Sequence, residues 1–228
     1  LRYGKIQLKA RGKRIAKKLT SLDLPVVRVS RPESYRILEM SDKGLKISLR
    51  TGELIESPLV GDFNAENLVS SLELVHRVFK IDRKQLCESL SSYMGVMGRV
   101  ERVTPVDFKF HVFVDYSHTP DALEKVLKSL SKIRKKKSRM FCVFGCGGDR
   151  DTFKRPKMGT IAIKNADVVI VTSDNPRTED PLKIIGDIFP SKKAANVQTE
   201  DDRKKAIELA LSQLGVDDIL LIAGKGHE

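Results

Sequence analysis

The chain has 228 residues, 40% of them hydrophobic, which is enough for one large domain or two small ones around a buried core. It contains no apolar run near the roughly 20 residues that span a bilayer, and its first residues lack the apolar stretch of a signal peptide. Three cysteines are too few, and odd in number, for a disulfide framework, and they favour a reducing compartment. We therefore expect a cytoplasmic globular protein without membrane contact, with Cys142 and Cys146 buried beside a strand.

Lysine and arginine total 42 against 30 acidic residues, and the resulting net charge of +12 predicts anionic partners. Many of the basic residues cluster in the first 18 positions. This cluster is typical either of a nucleic-acid surface or of the solvated face of a short helix around Lys13 to Leu19. The solvated helix is favoured because the run from Lys5 to Lys18 has no aromatic side chain on which bases could stack.

The first half of the chain predicts a small sheet followed by two helices. Three segments have strand-like composition, at 26–29, 35–40 and 45–49. The third alternates apolar and polar residues, as a strand with one solvated face does. Apolar residues at helical spacing predict a helix from Ala65 to Phe79, and Asp82 with Gln85 has the arrangement of a capping box ahead of a second helix.

The second half alternates β-rich and amphipathic segments, which predicts an α/β domain with a mostly parallel sheet. The predicted strands are Val112 to Val114, Arg139 to Phe144, Val168 to Thr172 and Ile219 to Ala223. The predicted helices lie at Pro120 to Ile133, Pro156 to Asn165, Pro181 to Ile188 and Asp201 to Leu214. Thr119 has the position of an N-cap for the first of these helices.

Four polar clusters follow the predicted strands directly, at 115–118, 145–150, 174–177 and 224–228. In an open parallel sheet, ligands bind beyond the carboxyl ends of the strands, where loops and helix amino termini meet. We therefore expect the four clusters to share one edge of the sheet.

The residue types in these clusters suit a zwitterionic ligand. Arg150 and Arg177 offer planar guanidinium groups that match carboxylates, Asn175 adds an amide, and Glu228 can accept from an ammonium group. For each residue taken alone, a surface ion pair is the simpler interpretation. The glycines at 145–148 are consistent equally with a ligand loop and with a tight turn packed under a helix, because they lack the full GxGxxG spacing.

Two further residues have two interpretations each. His118 is a candidate general base or phosphate contact, or else a structural histidine, and Asp115 is a candidate acceptor for ribose hydroxyls or a helix cap. No His and Cys spacing predicts a zinc site, and a Walker-type GxxxxGK[ST] loop is absent from the sequence.

Several segments together resemble the ordered motifs of the UDP-N-acetylmuramoyl-tripeptide synthetases of the Mur ligase family. They lie at 98–103, 114–121, 144–151, 172–177 and 223–228. Residues 61–67 also resemble the family's G-x-F-N-x-x-N segment. The resemblance covers about residues 59–228, and the first 58 residues match poorly.

The resemblance implies a Rossmann-like carboxyl-terminal domain at 98–228, preceded at 1–97 by the last part of a central α/β ATPase domain. It implies contacts to the incoming amino acid from Arg150, Asp174, Asn175, Pro176, Arg177, Gly224 and Glu228. It implies contacts to the nucleotide from Asn64, Asn67, Arg99, Asp115, Tyr116 and His118. Arg177 would bind the distal carboxylate that meso-diaminopimelate has and lysine lacks.

The implied reaction uses ATP and Mg²⁺ to add meso-diaminopimelate to UDP-N-acetylmuramoyl-L-alanyl-D-glutamate through an acyl phosphate. In the family, the P-loop, a modified lysine and the magnesium ligands lie upstream of the matched motifs, and the chain continues past the position of Glu228. We therefore expect a monomeric fragment that cannot ligate alone and to which no catalytic or metal-binding residue can be assigned. The alternatives are a lysine-adding Mur ligase, a relative of folylpolyglutamate synthetase, or a non-catalytic module that binds nucleotides or nucleic acid.

Overall fold

A computed structural model describes residues 6–7, 26–27, 33–189 and 194–226. The chain divides into two compact units, residues 1–94 and 95–228. The first two strands, β1 (Ile6–Gln7) and β2 (Val26–Val27), pair in parallel. The predicted helix around Lys13 to Leu19, all the basic residues of the first 18 positions, and Glu228 lie outside the described residues.

Between residues 33 and 94, the first unit contains an antiparallel sheet and two helices. Its strands are β3 (Tyr35–Ser41), β4 (Gly44–Leu49) and β5 (Leu54–Ser57), in that spatial order, followed by α1 (Asp62–Phe79) and α2 (Arg83–Ser91). Strand β4 buries Leu45, Ile47 and Leu49 and leaves the residues between them partly exposed, so the predicted alternation is confirmed. The carboxylate of Asp82 caps α2 by accepting from the backbone N–H of Lys84 at 2.9 Å.

The second unit is an α/β domain built on a six-stranded sheet. The strands are β6 (Arg99–Arg102), β7 (His111–Asp115), β8 (Met140–Phe144), β9 (Val168–Val171), β10 (Val197–Thr199) and β11 (Ile219–Ala223). Their spatial order is β10-β9-β8-β11-β7-β6, and every neighbouring pair is parallel except β6 with β7. The predicted α/β class with a mostly parallel sheet is therefore confirmed.

Four helices accompany this sheet. They are α3 (Pro120–Ser131), α4 (Lys154–Asn165), α5 (Pro181–Ile188) and α6 (Arg203–Gln213). Thr119 caps α3 as predicted, since its hydroxyl accepts from the N–H of Ala122. Ala206 and Ala210 of α6 pack on buried residues of the central strands, while α4 lies between α3 and α5 in a continuous layer. Helix α4 begins at Lys154, two residues before the predicted Pro156.

The central strands form the core of the second unit. All five residues of β8 are buried, including Cys142, and Cys146 is buried just beyond the strand, as predicted. Within the described part of the chain, none of the helices has the length and apolar character needed to cross a membrane.

Candidate functional site

The sheet topology brings the polar clusters to one edge. Strands β7, β8, β9 and β11 run in the same direction, so the residues that follow their carboxyl ends lie along the same side of the sheet. Strand β6 runs in the opposite direction, and its first residue, Arg99, pairs with the last residue of β7, Asp115. For the described residues, 115–118, 145–150, 174–177 and 224–226, this arrangement confirms the expectation that the four clusters share an edge.

The loop after β8 and the loop after β9 are joined by hydrogen bonds. The backbone N–H of Gly148 donates to the carbonyl oxygen of Asn175 at 2.9 Å, and Nη1 of Arg177 donates to the carbonyl oxygen of Gly148 at 2.6 Å. The N–H of Asp149 donates to Oε1 of Glu179 at 2.6 Å. The two loops therefore form one bonded pair rather than two separate turns.

Glycine is required where these loops approach each other. A Cβ atom on Gly148 would lie 1.9 Å from the carbonyl oxygen of Pro176, and one on Gly145 would lie 2.4 Å from the carbonyl oxygen of Thr172. Both distances are far below van der Waals contact. Backbone packing therefore explains these two glycines without a ligand, and the interpretation of the segment as a tight turn holds for them.

A buried arginine, which the sequence reasoning missed, lies beneath the loop pair. The side chain of Arg155, in the first turn of α4, is 0% exposed and donates to Glu179, to Asp187 and to the carbonyl oxygen of Gly147. The paired guanidinium lowers the pKa of Glu179 to about 2. A cation in the first turn of a helix is unfavourable for the helix dipole. The unfavourable position of Arg155 in the helix was the feature of the sequence that could have indicated a partner elsewhere in the chain.

A second arginine links the loop after β9 to the loop after β11. Nη2 of Arg203, in the first turn of α6, donates to the carbonyl oxygen of Ala223 at 3.0 Å, and Nη1 lies 3.5 Å from that of Ser173. Burial lowers the pKa of Arg203. The N–H of Gly224 in turn donates to the carbonyl oxygen of Asp115 at 3.0 Å, so the last loop is also tied to the end of β7.

Of the residues predicted to contact an amino acid, Arg150 and the segment 174–177 lie on the loop pair, and Gly224 directly follows β11. A Cβ atom on Gly147 would lie 3.0 Å from Nη1 of Arg177 and 4.0 Å from Oδ2 of Asp174, so these two side chains flank the same glycine. The side chain of Arg150 is exposed and makes no hydrogen bond or ion pair with any described residue. A positive and a negative group thus lie next to the same glycine, and Arg150, three residues further along the same loop, adds a guanidinium without a partner among the described residues. Such a set of groups can bind a zwitterion.

Three of the residues predicted to contact a nucleotide stack on one another. The guanidinium carbon of Arg99 lies 4.9 Å from the ring centre of Tyr116, whose ring meets that of His118 edge to face at 4.7 Å. Nδ1 of His118 lies 2.9 Å from the carbonyl oxygen of Tyr116. Since a carbonyl only accepts, Nδ1 carries the proton, and Nε2 is left for other partners.

Asp115, also predicted to contact the nucleotide, has a structural role in this conformation. It is buried, and its two carboxylate oxygens accept from the N–H groups of Val100 at 2.9 Å and Ser117 at 2.8 Å. These bonds fix the start of β6 and the turn after β7. The carboxylate therefore supports the loop that presents Tyr116 and His118.

The remaining two nucleotide candidates lie in the first unit, on α1. Asn64 is buried, and its Nδ2 donates to the carbonyl oxygen of Val60 at 2.8 Å. Asn67 is exposed, and its Nδ2 donates to Oδ1 of Asn64 at 3.3 Å. The side-chain amide of Asn64 is thus bonded within the helix and the turn before it, whereas Asn67 is exposed on the helix surface.

An open parallel sheet with cationic and polar loops along its carboxyl edge defines an α/β ligand-binding domain. Comparison with known families identifies its type: residues 98–226, more than half of the chain, match the family described as Mur ligase, glutamate ligase domain. The chain therefore belongs to the Mur ligase family, which confirms the resemblance found in its sequence.

Relatives with known names point to one branch of this family. The UDP-N-acetylmuramoyl-L-alanyl-D-glutamate–2,6-diaminopimelate ligase of Chromobacterium violaceum is 47% identical over 182 residues, which cover 80% of this chain and 35% of that protein. The enzyme of the same name from Xanthomonas campestris is 46% identical over 197 residues, covering 84% and 39%. The chain thus spans well under half the length of these relatives.

Solved structures agree in fold. A structure of a UDP-N-acetylmuramoyl-L-alanyl-D-glutamate–2,6-diaminopimelate ligase aligns with a TM-score of 0.64 at 35% identity, covering 98% of this chain and 47% of that one. The folylpolyglutamate synthase of Mycobacterium tuberculosis, complexed with ADP and AMPPCP, aligns with a TM-score of 0.69 at 21% identity, covering 92% and 49%. The second match shows a shared fold only.

Proposed function

We propose that this chain supplies the amino-acid-binding domain, residues 98–228, and part of the ATPase domain, residues 1–97, of a ligase that adds meso-diaminopimelate to UDP-N-acetylmuramoyl-L-alanyl-D-glutamate. The observation that carries the proposal is that Arg177 and Asp174 both lie next to Gly147, 3.0 Å and 4.0 Å from the position that a Cβ atom would take there. The names of the relatives, at 46% and 47% identity, support the same substrate. A cytoplasmic location and a monomeric state are part of this proposal.

The charges at the loop pair suit diaminopimelate better than lysine. Arg177 uses Nη1 on the carbonyl oxygen of Gly148, and its other guanidinium donors are available to a carboxylate. Arg150 is a second exposed guanidinium, and Asp174 can accept from an ammonium group. Lysine lacks the distal carboxylate and would leave one arginine without a partner. A site whose donors are placed for a carboxylate rejects ligands that lack that carboxylate, because the donors are then left without partners.

Of the residues that the sequence predicted to contact a nucleotide, we propose this role for Arg99, Tyr116 and His118. ATP with Mg²⁺ would supply the activation of the substrate carboxylate. The stacked side chains of Arg99, Tyr116 and His118 combine a cation, an aromatic face and an imidazole, which suit phosphates and a ribose. Within residues 33–189 and 194–226, no cluster of His, Cys, Asp and Glu could hold a metal ion, so we assign no magnesium ligand to this chain.

The amino-acid site is tested by calorimetry with meso-diaminopimelate and with L-lysine. The wild-type chain should bind diaminopimelate more tightly than lysine. The substitution Arg177→Ala should weaken diaminopimelate binding by about 10- to 100-fold, because a hydrogen bond to a charged group contributes about 1.5–3 kcal/mol. Lysine binding should change little.

The matched control is Arg134→Ala. Arg134 is also an exposed arginine, but it pairs with Asp167 and lies beyond the carboxyl end of α3, away from the loop pair. Its replacement should leave both affinities unchanged. Equal binding of lysine and diaminopimelate by the wild type, or no binding of either, would contradict the assignment of this site.

We further propose that the chain does not catalyse ligation by itself, because its sequence has no Walker-type loop to hold a triphosphate. Phosphate release should stay at background when the chain is given ATP, Mg²⁺, the UDP-linked dipeptide and diaminopimelate. Substrate-dependent phosphate release well above background would show that the proposal is wrong.

A further inference from the structure

The two loops of the proposed amino-acid site rest on an ion-pair group in which the arginine is buried and its two carboxylate partners are partly exposed. Arg155 donates to both carboxylate oxygens of Glu179, from Nη2 to Oε1 at 2.8 Å and from Nη1 to Oε2 at 2.9 Å. Nη1 also donates to Oδ2 of Asp187 on α5 at 2.8 Å, and Nη2 lies 3.3 Å from the carbonyl oxygen of Gly147. One guanidinium therefore contacts the loop after β8, the segment after Arg177, and helix α5.

The contacts made by Glu179 extend this group to the site. Its Oε1 accepts both from Arg155 and from the N–H of Asp149, the residue before Arg150. Its own N–H donates to the carbonyl oxygen of Pro176 at 3.1 Å, next to Arg177. Glu179 thus joins the backbone beside Arg150 to the backbone beside Arg177.

We infer that Arg155 is a positioning residue for the amino-acid site, and that its two bonds to Glu179 set the spacing between the loop that carries Arg150 and the loop that carries Arg177. This inference rests on the proposed function. A buried ion pair is often no more stabilising than apolar residues of the same volume, so stability alone does not account for an arginine here. A planar guanidinium with two parallel bonds does fix both direction and distance.

The competing explanation is that Arg155 only stabilises the fold. Arg139 provides a matched control, since it also donates two bonds to one carboxylate, from Nε and Nη2 to Oδ2 of Asp218, and a third to the carbonyl oxygen of Gln213. It precedes the amino end of β8, at the opposite edge of the sheet from the loop pair. If Arg155 only stabilised the fold, Arg155→Lys would lower the free energy of unfolding but leave the affinity of the folded protein for meso-diaminopimelate unchanged.

The test compares Arg155→Lys with Arg139→Lys. Lysine keeps the charge but cannot form the two parallel bonds. Two quantities are measured: the affinity for meso-diaminopimelate by calorimetry, and amide hydrogen exchange of Gly148 by NMR. The Gly148 amide is informative because its bond to Asn175 directly joins the two loops. We expect Arg155→Lys to weaken binding by about tenfold or more and to speed Gly148 exchange, and Arg139→Lys to do neither.

A second variant covers the case in which Arg155→Lys does not fold. Glu179→Gln leaves Arg155 paired with Asp187 and removes only the charged link to the loops, and it should shift both quantities in the same direction. Wild-type affinity and wild-type Gly148 exchange in a folded Arg155→Lys, or in Glu179→Gln if the first variant does not fold, would overturn the inference. If the wild type binds no diaminopimelate, the proposed function fails, while Gly148 exchange still decides whether Arg155 holds the loops together.

Discussion

Alanine at position 148 would bring two backbone segments into collision. Its Cβ would lie 1.9 Å from the carbonyl oxygen of Pro176 and 2.8 Å from the carbonyl carbon. Non-bonded heavy atoms pack at about 3.5 Å, so the loops would have to separate by roughly 1.5 Å. That separation would also break the bond from the Gly148 N–H to the carbonyl oxygen of Asn175.

The cost of Gly148→Ala follows from these two effects. Overpacking of this kind costs about 1–3 kcal/mol, and the lost hydrogen bond adds about 1 kcal/mol. We therefore expect the free energy of unfolding of the second unit to fall by roughly 2–4 kcal/mol. Affinity for meso-diaminopimelate should fall with it, because Arg150 and Arg177 lie on opposite sides of the strained contact.

Urea unfolding followed by circular dichroism measures this effect, with Gly186→Ala as the control. Gly186 lies inside α5, and a Cβ there meets no atom within 4 Å. Alanine should stabilise that helix by about 0.5–1 kcal/mol, so the two substitutions should move the unfolding midpoint in opposite directions. A Gly148→Ala midpoint equal to or above that of the wild type would refute the packing argument.

Two further predictions concern carboxylates at the edge of the sheet. The folded pKa of Glu179 is about 2, below the usual 4.5, so its contribution to stability is complete above pH 4.5 and is lost as the pH falls towards 2. As the pH is lowered from 4.5 towards 2, the urea midpoint should fall less steeply for Glu179→Gln than for the wild type. Equal slopes for the two proteins would contradict the prediction. Asp115→Ala should lower the free energy of unfolding by about 2–4 kcal/mol, because two buried backbone N–H groups lose their acceptor. Asp121→Ala, which removes an exposed ion pair with Lys125, should change it by less than about 1 kcal/mol, and equal losses for the two variants would count against the buried-acceptor argument.

Strong periodicity made most of the fold predictable from sequence. Strand β4 has clear alternation, β8 is a continuous apolar run, and α3 has both a cap and an apolar stripe, so local pattern and tertiary structure agree there. Strands β6 and β10 were not predicted. The four residues of β6 include two arginines and a glutamate, and β10 has three residues at the other edge of the sheet. Pairing with a neighbouring strand, and not local composition, makes both of them strands.

The site was predictable as a set of loops but not as a bonded network. Parallel strands necessarily gather the segments that follow them, and this rule placed the four polar clusters. The burial of Arg155 was not predictable, because charged residues lie mostly at the surface and its partners are 24 and 32 residues away along the chain. Only the folded structure shows that Glu179 and Asp187 converge on it.

The motif residues at this edge fall into two groups. Some contact other parts of the protein and hold its structure, and others have polar groups without a partner among the described residues. Gly148 and Asp115 have structural roles, since one permits a backbone contact and the other accepts two backbone N–H groups. Arg150 makes no polar contact with described residues, and Arg177 uses Nη1 alone on the Gly148 carbonyl oxygen. Guanidinium donors that have no partner among the described residues, carried by two loops that are bonded to each other, suit carboxylate recognition. Under the proposed function, Gly148 and Asp115 therefore set the geometry of the site, and Arg150 and Arg177 would supply the donors that select the ligand.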